Sequence, residues 1–376
     1  MIVELHLLQS FPTSNLNRDD VGQPKSVTFG GALRGRISSQ SMKRSARDSF
    51  QRYGLKERET GLRTKRLVEG AGKIIDGVDD VVDVSEKTQA TVREGIRKLG
   101  FEVDQKDLTE YLLFVGQGAR QELADYCQRN WDTLSKAVAD RKKSGKTEKV
   151  KPTQADLAEG RRILNAERVA DVALFGRMVA DNKDFNVDAA SQVAHAISTH
   201  AVATEFDFYT AVDDLKPEEE AGADMIGTVD FNAACYYRYA NLDTEQLTKN
   251  LGYDTELTAR AARAWLHSFI TARPSGKQNS MAAHTMPETL LTVVREHGSW
   301  NLANAFLNPV RGTELMADST RAMFEHFDTL RRFYGDEEIR GVTGAALSCE
   351  MPVLDPADQA ASVEELAERT LTAATR

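Results

Sequence analysis

Between Val21 and Arg47 the chain carries Lys25, Arg34, Arg36, Lys43, Arg44 and Arg47 without one Asp or Glu, although its formal net charge is -9. Cations gathered in an acid-free window make a local site for an anion rather than a basic protein. Ser38 and Ser39 are good N-cap residues, and the residues after them predict a helix ending near Gly54. On that helix Met42, Ala46, Phe50 and Tyr53 form one apolar stripe, while Gln40, Lys43, Arg44 and Arg47 share a separate face. A helix start offers unpaired N–H groups and the positive end of the macrodipole, which favour a phosphate beside Ser38 and Ser39. Gly30 and Gly31 just upstream would let backbone come close to such a ligand. Charge alone leaves two readings open: a basic face kept free for a partner, or a solvated surface helix.

Other chemistries are weaker. Asp19 and Asp20, beside Asn17, are adjacent carboxylates that could hold a divalent metal for phosphodiester cleavage. They are also consecutive in a turn, where Asx-type hydrogen bonds and pairing with Arg18 account for them. Ser38, Ser39 and Ser41 have no neighbouring His and no Ser-x-x-Lys partner, so nucleophilic catalysis lacks support. Gly145-Lys146-Thr147 is no P-loop, because Asp140 stands where the upstream Gly belongs. His195 and His200 are five apart in strand-like sequence, which does not suit a zinc pair. Cys127, Cys235 and Cys349, odd in number and far apart, argue against a disulfide framework and a Cys-based metal site; they read as buried thiols. No cofactor and no metal is expected.

The elements that would position these groups follow from pattern. At 376 residues the chain can form two or three compact units. The apolar N-terminal run is short and contains Glu4 and His6, so neither a signal peptide nor a membrane span is expected, and the cytoplasm is the default location. Residues 2–9 alternate as a strand with Val3, Leu5 and Leu7 on one face and Glu4 and His6 on the other. A short strand at 26–29 and the basic helix come next. From about 55 to 165 the sequence is charged and helical, with Ser85 as a cap, Gly100 as a stop, helical spacing over 117–138 and Thr153 as another cap. Within it, residues 140–153 form a hydrophilic run holding Arg141, Lys142, Lys143, Lys146, Lys149 and Lys151, which reads as a mobile solvated loop.

Strand signals return at 169–175 and 193–202. With 205–211 they lead to an acidic turn region at 213–224, so a protruding β-hairpin is expected there. Residues 228–240 are the clearest long strand, with Asn232, Tyr236 and Arg238 opposite its apolar face; these read as cover for the sheet rather than as base-stacking groups. A helix at 255–271, a polar loop at 274–285, a strand at 289–295, a helix at 314–334, a strand at 341–348 and a tail helix at 362–370 complete the chain. Strand, helix, inserted lobe, strand, hairpin, long strand, helix and strand give a βαββαβ order, an α+β ferredoxin-like or RRM-like palm with large insertions.

The motifs LNRDD, FGG and RISSQSMKR (residues 36–44) resemble the N-terminus of the CasC family. Further blocks continue the likeness in family order: FGRM at 175–178, AHAISTH at 194–200, FYTAVDDL at 208–215, YYRYANL at 236–242 and PSGKQNSMAA at 274–283. Little aligns over 53–165 or after Ile339. That family supplies the repeated backbone subunit of the type I-E CRISPR surveillance complex, Cascade. The resemblance implies a non-enzymatic scaffold that coats the guide part of a CRISPR RNA as a helical filament. Phosphates would be held by Asn17, Arg18, Ser38, Ser39, Gln40, Lys43, Arg44, Arg47, Lys277 and Gln278, with Arg177 and Met178 at a displaced base. Met178 would be the apolar wedge there, or else ordinary core.

It further implies a palm of residues 1–54, 166–192 and 228–376, a helical fingers lobe at 55–165 and a hairpin thumb at 193–227. Target DNA would be read by base pairing with the guide while protein grips the backbone. Arg141, Lys142, Lys143, Lys146 and Lys149 would touch duplex DNA phosphates. The implied partners are the guide, further copies of the chain, and the large, small, guide 5′-cap and guide-processing subunits, with a recruited nuclease-helicase acting on the same target. Backbone subunits of type III complexes cut RNA with an acidic residue on an early loop, so a metal-dependent ribonuclease using Asp19 and Asp20 is the alternative; the DNA-targeting branch delegates cutting.

Overall fold

The computed structural model describes residues 1–144, 152–164, 168–179, 185–211 and 225–375. Two compact units result. The first comprises Met1–Gly54, Ser191–Glu245 and Ala259–Arg376, the second Leu55–Ala190 and Gln246–Thr258. Residues 168–179 and 185–190 therefore belong with the helical lobe rather than with the palm, as do residues 246–258.

The first unit opens with β1 (Ile2–Ser14), the hairpin of β2 (Ser26–Phe29) and β3 (Ala32–Ile37), and α1 (Ser39–Arg47). Ser38 caps α1, its Oγ accepting the Ser41 N–H at 3.3 Å. The α-helix stops at Arg47, earlier than the spacing predicts, and a 3-10 turn at Gln51–Tyr53 carries the chain to Gly54 in the left-handed region. Met42, Ala46 and Phe50 are buried as the stripe requires.

In the second unit β4 (Gly61–Thr64) pairs antiparallel with β5 (Leu113–Gly116), a small sheet that a purely helical reading of 55–165 omits. Around it lie α2 (Leu67–Asp76), α3 (Glu86–Lys98), α4 (Ala119–Arg129), α5 (Trp131–Ser144), α6 (Gln154–Ile163) and α7 (Ala170–Phe175). Ser85 and Thr153 cap α3 and α6 as expected, and Gly100 follows α3 at φ 95°. Leu67, Val92, Ile96, Leu123, Leu134 and Ile163 share its core with Cys127. Two expectations fail here. The strand expected at 169–175 is instead helical over 170–175; all six residues are buried, even Asp171, which accepts the Gly61 N–H, and a run buried on every side has no period to separate helix from strand. The supposed solvated loop is helical up to Ser144, and residues 145–151 lie outside the described residues.

The chain returns to the first unit through β6 (Ser191–Val193), β7 (Ala196–Ser198), β8 (Glu205–Ala211) and β9 (Met225–Asp243). The expected strand at 193–202 is thus two short pieces. β8 pairs antiparallel with the start of β9, Ala211 opposite Met225, and the acidic stretch at 212–224 lies outside the described residues. Then come α8 (Thr244–Asn250), α9 (Thr255–Thr271), α10 (Gln278–Met281), β10 (Thr289–Arg295), α11 (Leu315–Tyr334), β11 (Ile339–Ala346) and α12 (Val363–Ala374).

The main sheet runs β11-β10-β1-β9-β7-β3-β2, every pairing antiparallel, with β6 and β8 also on β9. Leu5 and Leu7 meet Met42 of α1 and Phe269 of α9 on one face. On the other, Leu8, Tyr237 and Leu291 pack against Phe306, Phe324 and Phe327. Because β1 is central and covered on both sides, Glu4 and His6 are buried too, where simple alternation expects a polar outer face. The His6 Nδ1 lies 2.9 Å from the Tyr237 hydroxyl, and Glu4 accepts from the Trp300 N–H. Tyr236 and Arg238 are buried as sheet cover, Arg238 donating to Gln9 and to the Phe269 carbonyl. Cys127 and Cys235 are buried thiols and Cys349 is only half-buried. Among the described residues no helix is long and apolar enough to cross a membrane.

Candidate nucleic-acid interface

An open groove of about 650 Å³ runs between the loop after β1, the start of α1 and the loop before α10, lined by Leu16, Asn17, Arg18, Asp19, Asp20, Gly22, Ser38, Gln40, Ser41, Arg44, Ser275 and Gly276. Asn15, buried beneath it, donates from Nδ2 to the Gly22 carbonyl at 3.0 Å and to the Asp230 carbonyl of β9 at 2.8 Å, closing the loop and fastening it to the sheet. Asn17 Oδ1 accepts the Ser38 N–H at 2.8 Å. Asp19 Oδ1 accepts the N–H groups of Val21 at 3.0 Å and Gln23 at 2.8 Å, the Asx arrangement expected of a turn. On the far wall a Cβ at Gly276 would stand 2.7 Å from the Asn15 carbonyl oxygen and closer still to that of Leu16, so only glycine lets the two loops touch. Lys277 follows at φ 52°, and Gln278 is fixed by donating from Nε2 to the Pro274 carbonyl at 2.9 Å.

The start of α1 is less open than its sequence promises. Its Ser38 N–H is taken by Asn17, its Ser39 N–H by His195 Nδ1 at 2.9 Å, and its Ser41 N–H by the Ser38 hydroxyl. Among the described residues the Gln40 N–H is the first-turn donor left without an acceptor inside the chain. The basic face is likewise uneven. Arg18, Gln40 and Arg44 are exposed, and among the described residues neither arginine makes an ion pair; Lys43 and Arg47 are half-buried and each has an interaction of its own. Arg34 is no surface cation: wholly buried, it donates to the carbonyls of Ser198 at 2.9 Å and Phe306 at 2.7 Å, and burial pulls its pKa down. Gly30 is pressed against the Leu307 carbonyl rather than a ligand, while Gly31 faces open space. Asp19 and Asp20 put two carboxylates into the same groove, so its cationic character lies toward Arg18 and Arg44.

Residues expected elsewhere divide sharply. Arg177, in the second unit, donates from Nε to the Phe185 carbonyl at 2.7 Å and from Nη1 to those of Phe114 at 3.0 Å and Leu164 at 2.8 Å. Burial lowers its pKa to about 10, and these donors join strands and loops of that unit. Met178 beside it is 85% exposed, so the reading as ordinary core falls. Arg141 is not a loop cation: it holds Glu94 of α3 through two hydrogen bonds of 3.1 and 3.0 Å. Lys142 and Lys143 are exposed in the last turn of α5, and Lys146 and Lys149 lie outside the described residues. His200 is structural, its Nε2 accepting the Cys235 N–H at 3.2 Å. Among the described residues no three His, Cys, Asp or Glu side chains cluster as a metal site. Sequence pattern gives no sign of Gly276 in the groove wall, of Asn15 beneath it or of His195 against the start of α1, for their partners are up to 261 residues away along the chain.

No curated protein matches the chain. A solved structure described as "CRISPR RNA-guided surveillance complex, pre-nicking" contains a chain with 30% sequence identity and a TM-score of 0.83, with 100% of both chains covered. A second, described as "CRISPR RNA-guided surveillance complex", matches at 24% identity and a TM-score of 0.75 over 99% of this chain and 100% of the other, a likeness of fold. The family model for CT1975-like proteins matches residues 3–369. With almost its whole length matched, the chain belongs to the CT1975-like protein family.

Proposed function

We propose that this chain is the CRISPR RNA-binding backbone subunit of a type I-E surveillance complex, gripping the guide's phosphates and leaving bases to pair with target DNA. The observation that carries the reading is the groove in which Arg18, Gln40 and Arg44 stand exposed above a rigidly braced loop and helix start. Its likeness over full length to a chain of an RNA-guided complex supplies the ligand class. In the first unit the strand order β10-β1-β9-β7, with α1 and α9 against one face, supports a ferredoxin-like palm. The β8–β9 hairpin is the thumb, and further copies and the other complex subunits are the partners. Lys142 and Lys143 touch duplex DNA.

The role is non-enzymatic in this proposal. Commitment of the Asp19 Oδ1 to two backbone N–H groups supports a turn-forming carboxylate over a metal ligand. The test is RNA affinity against salt. Arg44→Gln should weaken binding alike for every guide sequence and flatten the log K versus log salt slope by about 0.7. Loss confined to some guides with an unchanged slope refutes the backbone grip. Cleavage of complementary RNA with magnesium, abolished by Asp20→Ala, would replace it with the ribonuclease reading.

A further inference from the structure

A break in the sheet edge sets His195 apart. β6 and β7 both pair with β9, but Val193 stands opposite Ala240 and Ile197 opposite Tyr237, so four steps on one side meet three on the other. The extra residue is a bulge, and bulges re-aim side chains. Across the other edge Ala196 pairs with Ile37, which brings His195 level with Ser38 and its imidazole to the Ser39 N–H at 2.9 Å.

That bond fixes the tautomer. An amide N–H only donates, so Nδ1 must present a lone pair and the ring proton must sit on Nε2. The ring is exposed, and among the described residues Nε2–H has no acceptor. His200, five residues on, uses both ring nitrogens within the fold, at Ala201 and Cys235. Around His195 the field is positive. Lys25 and Arg36 both act on the ring, and among the described residues neither makes an ion pair. They are held together by the Arg36 N–H donating to the Lys25 carbonyl at 2.8 Å. A neutral donor in a positive field at the helix start fits an anionic acceptor.

We propose that His195 is a further contact to the nucleic-acid strand, donating its Nε2–H to a phosphodiester oxygen beside the start of α1. The proposal rests on the RNA-binding reading above. It makes His195 both a brace, through Ser39, and a hand on the ligand. A neutral donor also differs from an arginine or lysine in a measurable way: binding through it displaces no counterion from the strand.

The test uses the full chain and a fluorescein-labelled single-stranded RNA, with anisotropy read across a salt series. His195→Asn keeps a carbonyl oxygen near the position of Nδ1 and removes the Nε2 donor. It should lose about tenfold in affinity at every salt concentration, the order expected for a hydrogen bond to a charged group, with the log K versus log salt slope unchanged. His195→Phe should lose more, because the Ser39 N–H is orphaned as well. Independently of any variant's folding, the Nε2–H resonance of the 15N-histidine-labelled wild type should move when RNA is added. An Asn variant that binds like wild type, a loss seen only with Phe, or a resonance that RNA leaves unmoved overturns the contact. Wild-type anisotropy in the same salt series separates the two readings: where it shows salt-dependent RNA binding, only the His195 contact falls, and where it shows none, both fall.

Discussion

The main-chain N–H of Ser38 donates to Asn17 Oδ1 across 2.8 Å, and this one bond couples the loop that presents Arg18 to the helix that presents Arg44. The two arginines gain a fixed relation through it, together with the Lys25 N–H donating to the Asn17 carbonyl at 2.9 Å and the bonds of Asn15 to the sheet beneath. Asn17→Ala leaves a partly buried donor unsatisfied, which costs about 1–3 kcal/mol. We expect a lowered Tm and weaker RNA binding. Asn17→Asp keeps the acceptor, so thermal stability should stay near wild type while RNA affinity falls from the added negative charge. If both variants bind RNA as wild type does, the groove is not the ligand's seat.

Gly276 sits where the two loop walls of the groove meet. Alanine there would drive a Cβ against the Asn15 and Leu16 carbonyls, both main-chain atoms that cannot swing aside. Overpacking of this kind costs about 1–3 kcal/mol. Gly276→Ala should therefore lower the denaturation midpoint and, by parting the walls, reduce RNA affinity with the charges untouched. An unaltered midpoint would show that the loops have room that the close approach denies.

Buried Glu4 makes stability depend on pH. Burial raises its pKa to about 7, against hydrogen bonds from Trp300 and Tyr239 and the charge of Arg295, which lower it. With the folded value raised, the unfolded state sheds its proton first, so Glu4's contribution is whole below about pH 4.5 and is lost as pH rises through 7. His6, lowered by burial to about 3, has the opposite sign: its contribution is present above about 6.5 and fades as pH falls toward 3. The two overlap, so the informative quantity is wild type minus Glu4→Gln, measured by urea unfolding. That difference should shift against wild type between pH 4.5 and 8 by an amount on the order of 3 kcal/mol. A flat difference would mean that Glu4 titrates normally.

Much of the architecture was legible because local signals and tertiary demands coincide. Ser38, Ser85, Thr153 and Ser362 are hydroxyl residues at helix starts, and all four cap the helices that follow. Where an element is buried on every side, as at Ala170–Phe175, pattern loses its power, because even its one charged residue, Asp171, is buried and bonded to the Gly61 N–H and so marks no outward face.

The amino-acid sequence alone determined that an acid-free run of cations surrounds the start of α1 and that Met42, Ala46 and Phe50 turn inward there, since charge and helical period are local properties. It also carried the motifs that mark the chain's kin. Only tertiary structure decided which cations remain available. Arg34, Arg141 and Arg177 are as basic in sequence as Arg18 and Arg44, yet their donors go to the Ser198 carbonyl, the Glu94 carboxylate and the Phe185 carbonyl. A guanidinium forms directional bonds with whatever acceptor the fold brings within about 3 Å, and those acceptors lie 164, 47 and 8 residues away along the chain. Charge is written residue by residue, but its freedom is settled by packing.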